Sequence, residues 1–334
     1  MQAFPFLIVG ASSLVAAAVA WALATRRIPA PLAHPGARSL HRQPVPRVGG
    51  IAIWAGWTLA WPLTWPESAL LSWSLLLPLA LVIAVSLIDD YRGLLPHIRL
   101  LVHVAAAISV AMLCLGATGP MLVLDVLVIV WMANLYNFMD GADGLAGAMG
   151  VVGFGAFAVA ALWSGQEPLS LLSAALAFAC AGFLVFNLPP ARLFMGDVGA
   201  IGLGFVAGAF GLKGWVDGAW PWWFPPLAFL PFIFDATLTL VRRIRRRAPL
   251  TVPHRDHFYQ QSILKDGRHG PTVAAYAAWM AGSAAAGLGA LRWAPQSGTL
   301  LGPILLAAMS AGFGWYCRSI DRRPQGAGNS RHGG

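Results

Sequence analysis

Long apolar runs separated by short polar segments occupy almost the whole chain. An α-helix needs about 17–25 apolar residues to cross a bilayer, and lipid tolerates no unpaired backbone groups, so each run predicts a membrane-spanning helix. We count eleven runs: 4–25, 49–65, 69–88, 98–116, 120–136, 146–163, 169–187, 198–214, 222–241, 272–291 and 299–318. The pattern predicts an all-α integral membrane protein, with one polytopic domain over 1–320 and a disordered polar tail over 321–334.

The composition supports a membrane protein. Of the 334 residues, 58% are hydrophobic and only 10% are charged, whereas soluble domains carry about 25% charged residues. No basic residue precedes the first run, and Arg26 and Arg27 follow it, so we expect a retained span rather than a signal peptide. The three cysteines lie far apart and indicate neither a disulfide framework nor a metal site.

Basic residues are distributed unevenly among the loops. All of the 22 lysines and arginines except Lys213 and Arg292 fall in alternate loops. The positive-inside rule makes those loops cytoplasmic, with the N-terminus periplasmic and the C-terminus cytoplasmic. This distribution explains the net charge of +9. We expect no nucleic-acid binding from so apolar a chain.

Polar clusters fall on the predicted cytoplasmic side. They cover 39–50, 89–99, 134–147, 186–200 and 242–261. Asp89 and Asp90 are adjacent carboxylates, which is costly unless a metal or another cation shares their charge. A solvated helix end is the alternative. Asp197 follows Gly196 at the start of the eighth run, where a simple helix N-cap competes with a ligand role.

Glycines interrupt the third cluster, NLYNFMDGADGLAG. Asp140 and Asp143 are each followed by a glycine, which favours a tight turn whose backbone approaches a ligand closely. We expect the preceding helix to end near Asp140, with Asn137 on its last turn. Asn134 lies deeper in the run and is expected to be a packing amide. A polar turn without a chemical role is the alternative interpretation.

The last cluster contains the stretch PHRDHFYQ. His254 and His257 flank Arg255, and two histidines suggest zinc, but zinc sites usually need three or four ligands. No cysteine lies nearby, and His269 is twelve residues on. Phosphate recognition is favoured, because arginine forks onto phosphate oxygens and histidine also donates hydrogen bonds. The preceding RRIRRR is typical of a segment at the lipid headgroups.

Taken together, the clusters predict one kind of chemistry. Carboxylate oxygens hold hard cations such as Mg²⁺, and arginine and histidine neutralise charge on transferring phosphates. We therefore expect Mg²⁺-assisted phosphoryl transfer, with Mn²⁺ as the alternative metal. A transporter is the main rival, but its ionisable residues would lie near the bilayer midplane and often in internal repeats. A non-catalytic membrane scaffold is a second rival.

The motifs DDYRG, NLYNFMDGADGLAG and FNLPPARLFMGDVGA, in this order, resemble the polyprenyl-phosphate N-acetylhexosamine-1-phosphate transferases of the glycosyltransferase 4 type. The resemblance covers residues 39 to about 270. It implies that undecaprenyl phosphate and a UDP-N-acetylhexosamine react at the cytoplasmic face of the bacterial inner membrane. It also leaves a homodimer open. Because PHRDHFYQ replaces the three consecutive histidines of the peptidoglycan enzymes, we expect the branch that initiates O-antigen or another surface polysaccharide. A phospho-MurNAc-pentapeptide transferase stays the alternative.

The resemblance also assigns roles to individual residues. Asp197 matches the metal-ligand aspartate, Phe194 the aromatic that stacks on uracil, and Arg99 a basic residue after the acidic pair. The segment 254–257 matches the pyrophosphate-facing motif. We expect these catalytic residues: Asp89, Asp90, Asp140, Asp143 and His257. We expect these substrate-binding residues: Asn137, Asn187, Phe194, His254, Arg255 and Arg99.

A general base is not required by the expected reaction. The second pKa of a phosphate monoester is near 6, so most of the lipid phosphate is already dianionic at neutral pH. A carboxylate with a pKa of about 4 gains little by removing a proton that is usually absent. We therefore expect Asp89 and Asp90 to organise a metal or a basic side chain.

Overall fold

The computed structural model describes residues 3–33, 43–64, 69–249, 254–293 and 298–322. These residues form fourteen α-helices, one short 3₁₀-helix at Thr58–Ala60, and one two-stranded ribbon. The helices are α1 (Ala3–Ala24), α2 (Gly50–Trp57), α3 (Trp61–Thr64), α4 (Ala69–Arg92), α5 (Pro96–Leu113), α6 (Gly119–Met139), α7 (Leu145–Trp163), α8 (Glu167–Asn187), α9 (Asp197–Val216), α10 (Phe224–Ala228), α11 (Leu230–Arg245), α12 (Phe258–Asp266), α13 (His269–Trp293) and α14 (Gly298–Arg322). Of the predicted polar tail, 321 and 322 belong to α14, and 323–334 lie outside the described residues.

Nine of the described helices are long and apolar enough to cross a membrane. They are α1, the six helices from α4 to α9, α13 and α14. The predicted spans 49–65 and 222–241 are shorter in the structure, each broken into two or more helical pieces. The chain is therefore a multi-pass, all-α membrane protein. The count of eleven spans and the sides of the two termini stay predictions.

Helix α9 is the central helix of the fold. In its membrane-length segment 89% of the residues are buried, compared with 17% in α14. Its glycines permit this burial: a Cβ at Gly204 would collide with the backbone of Met132 on α6, and one at Gly202 with the ring of Trp54 on α2. Trp54 also donates its indole N–H to the carbonyl of Val198 at 2.9 Å. The start of α9 is thus fixed among α2, α4 and α6.

A small polar assembly surrounds the start of α9. Strand β1 (Leu32–Ala33) pairs antiparallel with β2 (Val45–Pro46). The chain after β2 then runs beside the segment before α9, where Phe194 donates its N–H to Pro46 at 2.8 Å. Gly50, the first residue of α2, donates its N–H to Met195 at 2.8 Å. Two loops that are far apart in sequence therefore meet at one end of the helices.

Helices α2 and α9 cross with no room between them at Gly50 and Gly199. A Cβ on Gly50 would collide with the backbone of Gly199. We expect Gly50→Ala to destabilise the protein by about 1–3 kcal/mol, the usual cost of overpacking, and to lower the thermal unfolding midpoint in detergent. Gly282→Ala in α13 is the matched control, because nothing lies within 4 Å of its added Cβ. Equal unfolding midpoints for Gly50→Ala and the wild type would contradict this packing.

Candidate active site

A polar pocket of about 240 Å³ opens beside the start of α9. Four carboxylates from three chain segments line it: Asp90, Asp140, Asp143 and Asp197. Its other polar or aromatic lining side chains are Arg47, Asn137, Asn187, Phe194, Gln260 and His269. Most of the residues predicted from the motifs are therefore brought together. The roles assigned to them stay predictions.

The acidic turn of the pocket is built between α6 and α7. Helix α6 ends at Met139, and Asp140 is its C-terminal cap, as the glycines predict. Gly144 precedes α7 with φ 81°, a left-handed conformation that favours glycine. The buried Asn187 accepts the N–H of Gly144 at 3.0 Å and donates to the carbonyl of Leu193 at 2.9 Å. Asn187, predicted to bind substrate, thus ties two loops of the pocket together.

Asp143 is held on both sides. Its Oδ2 accepts the N–H of Ala191 at 3.0 Å. Its Oδ1 lies 3.5 Å from Nδ1 of His269, the first residue of α13. His269 is a pocket residue that sequence reasoning missed, because it was considered only as a distant zinc ligand. Asn134 donates its amide to the carbonyl of Val130, one turn earlier in α6, at 2.7 Å, and it does not line the pocket.

Asp90 caps α9 from another helix. Its carboxylate accepts the N–H of Val198 at 3.0 Å and that of Asp197 at 3.3 Å, where helix N–H groups have no intrahelical partner. Arg47 donates to the Asp90 carbonyl at 2.6 Å, and its Nε lies 3.6 Å from the carboxylate. A Cβ at Gly196, whose φ is 72°, would press on this carboxylate. The N-cap considered for Asp197 is therefore wrong, because Gly196 is the cap and Asp90 supplies the acceptor.

Arg99 joins the acidic pair to the predicted metal ligand. Its Nη1 contacts a carboxylate oxygen of Asp89 and lies 2.8 Å from Oδ2 of Asp197. Asp89 also accepts the N–H of Leu94 at 2.5 Å. Asp89 therefore lies behind the pocket and holds Arg99 against Asp197. The sequence suggested that a cation shares the charge of the acidic pair, and in the structure arginine side chains do so.

Asp140 differs from the other carboxylates of the pocket. Among the described residues, its side chain has no hydrogen-bond or ionic partner. Burial, together with the three other carboxylates of the pocket, raises the pKa of Asp140 well above its usual range. The pocket by itself therefore disfavours the ionised form of Asp140, and a cation bound beside it would favour that form.

The histidine segment lies apart from the acidic pocket. His257 is buried, and its Nδ1 lies 3.2 Å from the carboxylate of Asp235. His254 stacks on His257 with ring centroids 5.2 Å apart. Burial, with His257 and Arg243 nearby, lowers the pKa of His254. The residues 254, 255 and 257 do not line the pocket, and Gln260 on α12 reaches it instead.

Sequence reasoning missed four functional candidates: Arg47, Asp235, Gln260 and His269. Arg47 was counted only as a loop charge. Gln260 is uncharged, so a search for clusters of charged residues did not identify it. Asp235 was the clearest available signal, because it is a lone acid inside the apolar run 222–241. Ionisable residues within membrane spans are rare and usually have polar partners, and Asp235 has several.

One family model and several known proteins match the chain. The model of glycosyl transferase family 4 matches residues 72–214. A probable undecaprenyl-phosphate N-acetylglucosaminyl 1-phosphate transferase of Bacillus subtilis is 28% identical over 243 residues, 68% of each chain. A decaprenyl-phosphate N-acetylglucosaminephosphotransferase of Mycolicibacterium smegmatis is 26% identical over 295 residues, 75% of this chain and 72% of the relative.

A phospho-N-acetylmuramoyl-pentapeptide-transferase of Shouchella clausii is 43% identical, but over only 83 residues, 25% of this chain and 26% of the relative. The two longer matches extend well beyond the region that this shorter one covers. The acidic motifs at 89–90, 140–143 and 197 all fall inside the part matched by the family model. The family model therefore matches the part of the chain that carries the acidic motifs, and together with the two longer relatives it supports the polyprenyl-phosphate N-acetylhexosamine-1-phosphate transferase superfamily.

Proposed function

We propose that the protein transfers a sugar phosphate, N-acetylhexosamine-1-phosphate, from a UDP-N-acetylhexosamine to undecaprenyl phosphate and releases UMP. The observation that carries this proposal is the acidic pocket at the ends of apolar helices. Asp90 lies in the last turn of α4, Asp140 directly follows α6, Asp197 begins α9, and His269 begins α13. A site at helix ends suits a lipid-anchored phosphate and a soluble nucleotide that meet at the membrane surface.

The proposed location follows from the same geometry. The pocket lies at the ends of the helices that the basic loops predict to be cytoplasmic. A UDP-sugar is available from the cytoplasm, while the prenyl chain stays in the bilayer. We therefore propose the bacterial inner membrane, with the pocket open to the cytoplasm.

The charges of the pocket support a divalent cation, and we propose Mg²⁺. Among the described residues, no three acidic or histidine side chains already converge as a ligand set. The carboxylates of the pocket still fit Mg²⁺, because this ion usually takes one or two carboxylates and completes its coordination shell with water and substrate phosphates. Asp197 would hold the ion, and the cation would in turn favour the ionised form of Asp140, which lines the same pocket. When bound, the ion neutralises charge on the diphosphate.

The remaining residues would bind and orient the two substrates. Phe194 lines the pocket as a face for the uracil ring, and Asn137 supplies an amide beside the acidic turn. Arg99 is held between Asp89 and Asp197, so its positive charge stays at the pocket. An oxygen of the lipid phosphate attacks the β-phosphorus, and the bond from that phosphorus to the bridging oxygen breaks. UMP leaves with the electron pair, and no proton has to be removed from the dianionic acceptor.

The sugar and the pathway belong to the proposal as well. The two longer relatives are named for N-acetylglucosamine, so we propose UDP-GlcNAc as the first donor to test, with UDP-FucNAc and UDP-QuiNAc next. The product would initiate O-antigen or another surface polysaccharide. The stretch PHRDHFYQ weighs against a peptidoglycan precursor, and the match to the pentapeptide transferase covers only 25% of this chain.

A transfer assay tests the activity. Purified protein with undecaprenyl phosphate, Mg²⁺ and labelled UDP-GlcNAc is expected to give a labelled lipid and an equal amount of UMP. We expect Asp197→Asn to lower the rate on the order of 100-fold, as for removal of one group that stabilises the transition state. Asp125→Asn is the control, since Asp125 is a buried acid in the other half of α6. Neither product from any UDP-N-acetylhexosamine would overturn the proposal.

The role of Asp89 is tested by a pH–rate profile. Because Asp89 holds Arg99 and removes no proton, Asp89→Asn is expected to lower kcat by a similar factor at every pH, roughly 10–100-fold. Asp217→Asn is the control, because Asp217 pairs with Lys213 at the opposite ends of the helices. A defect that appears only at low pH, and that added small-molecule bases relieve, would instead identify Asp89 as a general base.

A further inference from the structure

Asp235 is a fully buried carboxylate in α11 with an unusually large set of donors. Oδ1 lies 3.2 Å from Nδ1 of His257, and it accepts the Phe258 N–H at 3.1 Å and the Thr239 hydroxyl at 3.2 Å. Oδ2 accepts the Tyr259 N–H at 3.1 Å and the Tyr276 hydroxyl at 2.6 Å. The proposed transfer chemistry does not use this residue directly.

The identity of the donors fixes the proton on His257. Backbone N–H groups only donate, so the oxygens of Asp235 that face the first turn of α12 must accept. Because this carboxylate accepts both backbone N–H groups, its hydrogen bonding is best satisfied when Nδ1 of His257 also donates to it. Nδ1 of His257 therefore carries the proton, and Nε2 is the nitrogen left to accept or, when protonated, to donate.

The same carboxylate sets the position of α12. It caps the helix at Phe258 and Tyr259, and α12 has no side-chain cap of its own. The next residue, Gln260, lines the acidic pocket. Tyr259 donates its hydroxyl to the carbonyl of Phe138, two residues before Asp140, at 3.0 Å. A Cβ at Gly141 would collide with that hydroxyl.

We propose that Asp235 is a positioning residue that holds His257 in the Nδ1–H tautomer and seats α12 against the acidic turn. Its effect on catalysis rests on the proposed function, whereas its effect on the tautomer does not. Asparagine at this position keeps one oxygen but turns the other into an NH₂ group. If the NH₂ group took the place of Oδ1, His257 and the Phe258 N–H would lose their acceptor, and in the place of Oδ2 it would deprive the Tyr259 N–H of one.

The tautomer is measured directly by NMR. The chain has eight histidines, so selective ¹⁵N labelling gives few signals, and His257→Gln identifies the one that belongs to His257. At a pH at which the imidazole is neutral, the wild type is expected to show the Nδ1–H form. Asp235→Asn is expected to shift that signal toward the other tautomer, while Asp125→Asn leaves it unchanged. An Nε2–H tautomer in the wild type would overturn the proposal even if Asp235→Asn does not fold.

A double-mutant cycle then tests whether Asp235 acts through His257. Asp235→Asn is expected to lower kcat roughly 10–100-fold, the range for partners that orient a functional histidine. His257→Ala is expected to be at least as slow, and the double variant to be no slower than His257→Ala alone. Asp125→Asn is expected to retain wild-type kcat. Fully additive losses would overturn the proposal, whereas inactivity of the wild type itself would count against the transferase function and leave the NMR result decisive.

Discussion

The capping of α9 by the carboxylate of Asp90 is the contact on which the site depends. Helix α9 is the most buried long helix of the described fold, and its first N–H groups have no partner within the helix itself. Because Asp90 belongs to α4, this contact joins two helices and fixes the position of Asp197, the first residue of α9. Arg99 then extends this contact from α5 to Asp89 and Asp197.

The same device occurs twice in the structure. Helices α9 and α12 both start without a side-chain cap of their own, and both are capped by a carboxylate from another helix, Asp90 in one case and Asp235 in the other. In each case the first turn of the capped helix places a polar side chain in the pocket, Asp197 in α9 and Gln260 in α12. Carboxylates buried at a membrane surface are tolerated because each satisfies several donors. Asp140 is the exception: among the described residues its carboxyl group has no hydrogen-bond or ionic partner, and a bound cation would favour its ionised form.

Local patterns in the sequence predicted much of this arrangement. The apolar runs indicated the helices, and the glycines after Asp140 and Asp143 indicated the turn. The hydrogen-bond partners of the acidic residues could not be predicted from local patterns. Asp90 caps α9 only because the fold packs together residues more than a hundred positions apart. Asp235 was visible as a lone acid in an apolar run, but its donors come from α11, α12 and α13. His257 does not line the acidic pocket, and its ring instead contacts Asp235 on α11, so its catalytic role stays a prediction.

The most direct test of the account is a cryo-EM structure of the purified protein with Mg²⁺ and a UDP-N-acetylhexosamine. The account predicts density for the metal at Asp197 and for the diphosphate beside it, with the uracil ring against Phe194. A second polar pocket, lined by Arg242, Arg243 and Arg246, lies at the end of α11. Nucleotide density in that pocket, with the acidic pocket left unoccupied, would contradict the central claim that the start of α9 organises the active site.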